Sequence, residues 1–178
     1  MFTEDQKKYL EKIRVAAVIG SQKTGIPAEL IAAWWTWETA YGTNRTSKVN
    51  NHAGIKNLST GKDYSDGQYA AYNTIENFAN DWARIISGNR AGYPEIIAAA
   101  RGKKSYIDIT DAHNKSLWSE ADYNLLTIDK RAKNIAMLYK IPAQPSKPDN
   151  VNNLSEDDLK KYAAIGLAVL AAIALVKS

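Results

Sequence analysis

Residues 27–42 read PAELIAAWWTWETAYG, and their pattern is typical of an amphipathic helix. Aromatic and aliphatic positions recur three and four residues apart, which places them on one face of an α-helix, and a glycine such as Gly42 often follows a helix end. The predicted inward face contains one acid among its apolar members: Ile31, Trp34, Trp35, Glu38 and Tyr41. The functional prediction starts from this acid.

Glu38 occupies a position at which an apolar residue is expected. An ionised carboxylate on a buried face is costly unless it is partnered or partly protonated. Loss of hydration among tryptophans would raise its pKa, so that the group could donate a proton near neutral pH. We expect one of Trp34, Trp35 and Trp37 to desolvate it and the others to join the core. The alternative is a helix-edge glutamate that reaches water or pairs with a lysine, and the spacing leaves both open.

A mainly α domain is predicted over residues 1–140. Further helical segments are indicated at residues 4–20, 75–87, 94–100 and 129–139, whereas residues 105–118 are ambiguous. We expect Gly20 to end the first of these segments and Thr74 to cap the second. Between residues 42 and 72 the composition becomes polar and glycine-rich, which predicts loops with a small hairpin over residues 64–72. This loop lobe is expected to form the rim of a cleft.

A second region is predicted after residue 140. Residues 141–154 contain three prolines among polar residues, a composition typical of a semi-rigid linker. Residues 155–178 then indicate a helix, in which residues 162–176 carry no charge. Fifteen helical residues rise about 22 Å against a hydrocarbon core of about 30 Å, so spanning would need help from flanking lysines. A membrane anchor is the favoured interpretation, with docking on the globular domain or self-association as the alternative.

Composition excludes several classes of function. The 23 basic residues against 19 acidic ones give a net charge of +4, which suits an anionic polymer but is too small and too scattered to indicate nucleic-acid binding. The absence of cysteine excludes disulfides, thiolate metal sites and cysteine nucleophiles. His52 and His113 are far apart and lack metal-ligand spacing, so no metal or other cofactor is expected. The lysines near the start disfavour a secretory signal.

Four motifs, taken in order, resemble those of a known family. The family has a helix that ends in Glu-Ser-x-Trp-Gly, then Asn-Asn-x-Phe-Gly-Ile-Lys, then Phe-x-x-Tyr-x-Ser followed by an acid, and later Tyr-Ala-Thr-Asp-x-x-Tyr. The corresponding positions here are residues 38–42, residues 50–56, the set Tyr69, Tyr72, Thr74 and Glu76, and residues 117–123. On these motifs, residues 5–140 resemble the bacterial and phage glucosaminidase family, the peptidoglycan hydrolases related to flagellar and autolysin N-acetylglucosaminidases.

The resemblance implies a fold, a reaction and its catalytic residues. The fold would be a lysozyme-like helical domain with a small loop or hairpin lobe, and the reaction would be cleavage of the β-1,4 bond between N-acetylglucosamine and N-acetylmuramic acid. By resemblance, Glu38 is the general acid that protonates the glycosidic oxygen, and Asp63 is nearest the second acid, with Asp66 as the alternate. Tyr123 is a further catalytic candidate that could hold the reacting acetamido group or line a saccharide subsite, with ordinary core packing as the alternative. Such hydrolysis commonly uses two carboxylates whose separation decides the stereochemical outcome.

Five residues are candidates for substrate binding: Tyr41, Asn51, Gly54, Lys56 and Tyr72. Asn51 and Lys56 could hydrogen-bond sugar hydroxyls or the acetamido group, Gly54 would supply backbone shape, and the tyrosines could line saccharide subsites. Loop-internal capping by Asn51 and core packing by Tyr72 are the alternatives. His52 is interpreted as a surface loop histidine.

The chain also departs from the family pattern. Ala53 replaces a phenylalanine, Tyr41 a tryptophan and Ala70 an arginine, and the loop that bears the second acid is short. Two other functions therefore stay open: a lytic transglycosylase, and a non-catalytic cell-wall-binding module on a membrane anchor. With no secretory signal and a hydrophobic tail, the expected location is a membrane beside the cell wall, such as that of a phage virion.

Overall fold

The computed structural model describes residues 2–118 and 122–140, which form a mainly α domain with a small hairpin lobe. Within these residues the predicted helical class is confirmed. The six helices are α1 (Glu4–Thr24), α2 (Ala28–Thr39), α3 (Ile75–Ile86), α4 (Tyr93–Arg101), α5 (Tyr106–Asn114) and α6 (Leu125–Tyr139).

Helix α1 continues one turn beyond its predicted end. Thr3 and Gln6 form a capping box at its start, and Gly25, at φ +81°, ends it. A Cβ on Gly20 would lie 3.1 Å from the Trp82 ring. The prediction that Gly20 ends the helix is wrong, because this glycine allows the close packing of α1 on α3.

Helix α2 is the central helix, and it packs against α1 and α6. Ten of its twelve residues are buried, so the predicted single inward stripe is too narrow. Its polar members have partners; for example, the Tyr106 hydroxyl donates to the buried Glu29 carboxylate. Only towards the C-terminal end does the helix open to solvent, at Trp37 and Glu38.

The hairpin lobe lies between α2 and α3, as the composition predicts. A short 3₁₀ helix (Arg45–Val49) is followed by antiparallel strands β1 (Tyr64–Asp66) and β2 (Tyr69–Ala71), with Tyr64 paired to Ala71. Gly67, at φ +62°, makes the turn that joins the strands. Thr74 then caps α3 by accepting from the Asn77 amide, as predicted.

Two of the remaining helices begin at side-chain caps. Helix α5 resolves the ambiguous segment, because Ser105 and Asp108 form a capping box at its start. Helix α6 begins at Leu125, four residues before its predicted start, because Asn124 caps it.

The linker and the hydrophobic helix predicted at residues 141–154 and 155–178 lie outside the described residues. Among the helices that the structure does describe, none is long and apolar enough to cross a membrane.

Candidate active site

Glu38 lies in the last turn of α2, where the helix meets the loop lobe and the segment before α6. Tyr123 donates a hydrogen bond from its hydroxyl to Glu38 Oε1 at 2.5 Å. On the other side, a Cβ on Gly54 would be 3.9 Å from Glu38 Oε2. Asn44 fixes the backbone by donating to the Glu38 carbonyl at 2.7 Å. The carboxyl group is thus held between a phenol and a glycine backbone.

Two opposing effects act on the pKa of Glu38. Burial raises this pKa above the ordinary glutamate value, and the hydrogen bond from Tyr123 partly offsets the rise because it stabilises the carboxylate. Desolvation is the larger effect, so the net shift is upward. A carboxyl group in this setting holds its proton at a higher pH than a free glutamate does.

Tyr123 is fixed from both its backbone and its ring. The Asn114 side chain at the end of α5 donates to the Tyr123 carbonyl and accepts from its amide, each at 2.9 Å. The ring stacks on His113 with centroids 4.8 Å apart, and His113 in turn lies 4.4 Å from the Trp34 ring. Burial, together with the charge of Glu38, raises the pKa of Tyr123 well above the usual tyrosine value, so its hydroxyl stays a donor.

The three tryptophans of α2 have different environments. Trp35 packs against Phe78 and Trp82 in the core, while Trp34 donates from its ring nitrogen to Thr110. Trp37 is 38% exposed, and its ring lies edge-on to Tyr123 at 6.3 Å. Trp34 and Trp35 therefore join the core, and Trp37 forms part of the surface beside Glu38.

The Asn51 side chain organises the loop that carries Gly54. Its amide nitrogen donates to the carbonyls of Ile55 and Ala70, both at 2.8 Å, and its oxygen accepts from the Ile55 amide at 3.0 Å. The residue is fully buried. Of the two predicted roles for Asn51, this geometry corresponds to loop-internal capping, and it sets the loop that places Gly54, at φ +61°, beside Glu38.

Both candidate second acids have hydrogen-bond partners, Asp63 at the start of α3 and Asp66 within the loop lobe. Asp63 is exposed and accepts from the Asn73 amide at 2.7 Å and from the Asn77 side chain at 2.9 Å. These hydrogen bonds hold the Asp63 pKa below its usual range. Asp66 accepts two hydrogen bonds from Arg45, which likewise lower its pKa. Both groups are ionised at neutral pH, and neither is a described partner of Glu38.

Tyr72 lies in the core, in a polar cluster that sequence reasoning missed. Its hydroxyl donates to Asp81 Oδ2 at 2.7 Å, and its ring packs against Phe78. Asp81 is 3% exposed and also accepts from Ser59 at 2.5 Å and from Arg84 at 2.6 Å. Of the two predicted roles for Tyr72, this environment corresponds to core packing. The Asp81 cluster ties the loop lobe to α3.

Tyr41 and Lys56 are both near the surface. Tyr41 follows α2 with φ +57° and packs edge-on against Phe2 and Tyr9. Lys56 bridges to β2 through Tyr69, with its ammonium 4.9 Å from that ring's centroid. Tyr41 is partly exposed and Lys56 is exposed.

His52 is buried, so the interpretation as a surface loop histidine is wrong. It is 0% exposed, and its Nδ1 lies 2.9 Å from the Tyr9 hydroxyl. Burial lowers the pKa of His52 to about 3, and burial does the same to His113. Burial within a loop follows no regular spacing in the sequence, which explains why the sequence did not reveal it.

A glutamate at the end of a buried central helix, facing a small hairpin lobe, is the arrangement of lysozyme-like glycoside hydrolases. The model of the Glucosaminidase family, described as mannosyl-glycoprotein endo-beta-N-acetylglucosaminidase, matches residues 15–124. The chain therefore belongs to the Glucosaminidase family, which confirms the resemblance inferred from the four motifs. No curated protein sequence matches the chain.

Solved structures share this fold at low sequence identity. A peptidoglycan hydrolase mutant from Sphingomonas sp. A1 has a TM-score of 0.60 at 19% identity, over 75% of this chain and 98% of that one. The catalytic domain of the autolysin Auto from Listeria monocytogenes has a TM-score of 0.56 at 18% identity, over 79% of this chain and 87% of that one. A chain of a type VI secretion system effector-immunity complex from Pseudomonas protegens has a TM-score of 0.60 at 12% identity, over 78% of this chain and 96% of that one. At these identities the similarity shows the fold alone.

Proposed function

We propose that this protein hydrolyses the β-1,4 bond between N-acetylglucosamine and N-acetylmuramic acid in peptidoglycan, with Glu38 as the general acid. The observation that carries the proposal is the environment of the Glu38 carboxyl group, which is desolvated and held by the Tyr123 hydroxyl. Family membership and the peptidoglycan hydrolases that share the fold support the substrate class.

The reaction needs a proton for the leaving oxygen and negative charge near the developing oxocarbenium ion. Glu38 supplies the proton, because its raised pKa gives it a larger protonated fraction than an ordinary glutamate has at the same pH. Tyr123 donates to the carboxylate that forms once the proton has left, so it stabilises the product state of the transfer and orients Oε1 before it. Gly54 places backbone without a side chain beside Oε2, which we propose leaves room for a sugar there.

Asp63 is the proposed second acid, and Asp66 is the alternate. Asp63 supports this role by its exposure and its ionised state. An aspartate is shorter than a glutamate, so the distance between the two carboxyl groups would be larger. A distance large enough for a bound water would favour an inverting mechanism. Substrate assistance by the acetamido group is the other route, and it requires no second carboxylate.

The remaining candidate residues are proposed either to contact the saccharide directly or to act indirectly by holding the protein's own groups. Tyr41 and Lys56 are the proposed saccharide contacts, because both lie towards the surface. We infer that Asn51 and Tyr72 act indirectly, because their polar atoms are engaged with the protein's own groups. The Tyr123 ring is buried, so its proposed contact with the acetamido group would be made through the hydroxyl that also bonds to Glu38.

Mass spectrometry of digested peptidoglycan tests the proposal. We expect fragments with reducing-end N-acetylglucosamine from the wild type, and at least about a hundredfold slower release from Glu38→Gln, which has no proton to transfer. Reducing-end muramic acid would instead identify a muramidase. Equal release by both proteins would contradict the role of Glu38.

A lytic transglycosylase is the second candidate. Such an enzyme uses one glutamate on a comparable helix, needs no second acid and leaves an anhydro sugar. The observation that favours it is the bonding of Asp63 to Asn73 and Asn77, which gives this carboxylate a structural use. Anhydro products in the same digest would establish this reaction. A non-catalytic wall-binding module would yield neither product.

The cell wall is the proposed place of action. Attachment to a membrane through residues 155–178, on a phage virion or elsewhere, stays a prediction because those residues lie outside the described part of the chain.

A further inference from the structure

Arg131 is a half-buried cation on α6 beside the candidate active site. Its guanidinium carbon lies 5.4 Å from the centroid of the Trp37 ring and 5.1 Å from that of Tyr41. One nitrogen, Nη1, donates to Thr36 Oγ1 at 3.0 Å. Burial lowers the pKa of Arg131 from the usual arginine value, so the charge is partly desolvated, yet an arginine remains protonated.

The other arginines that bond to neighbouring elements are paired with acids. Arg14, Arg45 and Arg84 each have a carboxylate oxygen within 3.5 Å. Within residues 2–118 and 122–140, Arg131 has no such partner. Cation–π contacts offset part of the cost of its desolvation. A guanidinium carries five N–H donors in its plane. The cation–π contacts do not satisfy the donors that remain, because the aromatic rings offer no hydrogen-bond acceptor in that plane.

The position of Arg131 connects it to the catalytic group. Trp37 directly precedes Glu38 on α2, and its ring also contacts the Tyr123 ring at 6.3 Å. The Tyr123 hydroxyl reaches Glu38. A chain of contacts therefore links Arg131 through Trp37 and the buried Tyr123 to Glu38. Trp37, at the Arg131 end of this chain, is 38% exposed, so a ligand can reach it.

We propose that Arg131 binds a carboxylate on the substrate, and so makes the enzyme prefer glycan strands with acidic substituents to neutral N-acetylglucosamine polymers. The planar fork of a guanidinium matches the two oxygens of a carboxylate, and the rings of Trp37 and Tyr41 hold that fork in place. This inference rests on the proposed function. In peptidoglycan the carboxylate comes either from the free lactyl group of muramic acid or from the attached peptide.

Three substrates separate these sources: glycan strands stripped of peptide, strands that keep their peptide, and neutral chitohexaose. We would measure kcat and KM on each for the wild type, Arg131→Gln, Arg131→Lys and Arg14→Gln. Arg14 is the matched control, because it also lies over a tyrosine ring and bonds to α6, through Tyr139. Urea unfolding of each variant establishes that it is folded.

Arg131→Gln should raise KM about tenfold on an acid-bearing strand and lower the preference over chitohexaose by the same factor. Arg131→Lys should recover only part of the loss, because an ammonium lacks the planar fork. Arg14→Gln should keep the wild-type preference. An effect confined to stripped strands identifies the lactyl carboxylate, and one confined to peptide-bearing strands identifies the peptide.

Equal changes on all three substrates, or a change in kcat alone, would overturn the inference. Calorimetric binding of the same ligands separates it from the proposed function. If the wild type cleaves nothing but still binds acidic strands through Arg131, the proposed function fails and carboxylate recognition stands. If it cleaves all three without preference, carboxylate recognition fails and the proposed function stands.

Discussion

The chemistry at Glu38 depends on a balance between burial and one hydrogen bond. Burial favours the protonated carboxyl group, and the Tyr123 hydroxyl favours the carboxylate. A general acid needs both influences, because it must hold its proton before the reaction and release it during the reaction. The position of Tyr123 is therefore as important as the burial of Glu38.

Tyr123→Phe should shift the pH dependence of the reaction upward. In the proposed mechanism Glu38 acts in its protonated form, so kcat/KM should fall as the pH rises through the pKa of Glu38 in the free enzyme. Removing the phenol removes the interaction that lowers this pKa, so the alkaline limb should move to higher pH. We also expect kcat to fall about tenfold, since Glu38 loses its orienting partner.

Tyr106→Phe is the matched control for that experiment. It also removes a phenol that donates to a buried glutamate on α2, in this case Glu29. Its alkaline limb should coincide with that of the wild type. An alkaline limb for Tyr123→Phe at or below the wild-type pH would show that the hydroxyl does not act on Glu38 as described.

At the scale of elements, the loop lobe is held to the helices by the buried Asp81 carboxylate. Asp81→Ala removes the acceptor of Ser59, Tyr72 and Arg84 and leaves a cavity. We expect the free energy of unfolding to drop by about 3 kcal/mol, because a buried and multiply bonded carboxylate is lost. Urea denaturation measures this change.

Asp111→Ala provides the comparison for Asp81→Ala. The Asp111 carboxylate pairs with Lys115 on the exposed side of α5, so its loss should cost less than about 1 kcal/mol. Equal effects of the two substitutions would mean that the Asp81 cluster does not hold the lobe.

Local signals in the sequence predicted most of the helices. The Thr74 cap of α3, the hairpin at residues 64–72 and the unusual acid at Glu38 depend on neighbours within a few residues. The predictions that were wrong concern residues whose environment depends on partners far away in the sequence. Gly20 looks like a helix end but packs under Trp82, and His52 looks like a loop residue but lies beside Tyr9.

The candidate site, like the fold, could be predicted from the sequence only in part. The acid within the predicted apolar stripe of α2 and the motif resemblance together indicate Glu38. The Thr36 contact of Arg131, by contrast, joins residues 95 positions apart, and neither residue is unusual in its own segment. Asp81 lies on the inner face of α3 among apolar neighbours. An acid among apolar residues is the same signal that Glu38 gives, so Asp81 could have been predicted in the same way.

At the scale of the whole molecule, two buried histidines make the fold sensitive to acid. His52 and His113 have a folded-state pKa of about 3, against an ordinary value of 6.5. Because the unfolded chain binds protons that the folded chain does not, this stability is present above pH 6.5 and is lost as the pH falls below it. From pH 7 to pH 5 the pair should lower the free energy of unfolding by up to about 4 kcal/mol.

Urea unfolding at the two pH values measures that loss. His113→Phe keeps a ring between Trp34 and Tyr123 and removes one titrating group, so the change between pH 7 and pH 5 should be about half that of the wild type. A wild-type stability that stays constant or rises towards pH 5 would contradict neutral burial of the two histidines.

The predicted division at residue 140 is tested by comparing the full chain with residues 1–140. We expect the shorter protein to fold and to release the same glycan fragments, because the helices and the candidate site lie within it. The full chain alone should float with anionic lipid vesicles if residues 155–178 form a membrane anchor. Recovery of the full chain in the vesicle-free fraction would contradict the anchor.

Transfer of a proton from Glu38 to the glycosidic oxygen is tested most directly by changing the leaving group. Dinitrophenolate leaves a sugar without protonation, so Glu38→Gln should lose more than about a hundredfold in kcat/KM on native glycan and less than about tenfold on a dinitrophenyl chitooligosaccharide. Equal losses on the two substrates, or none on either, would contradict the role of Glu38 as the general acid.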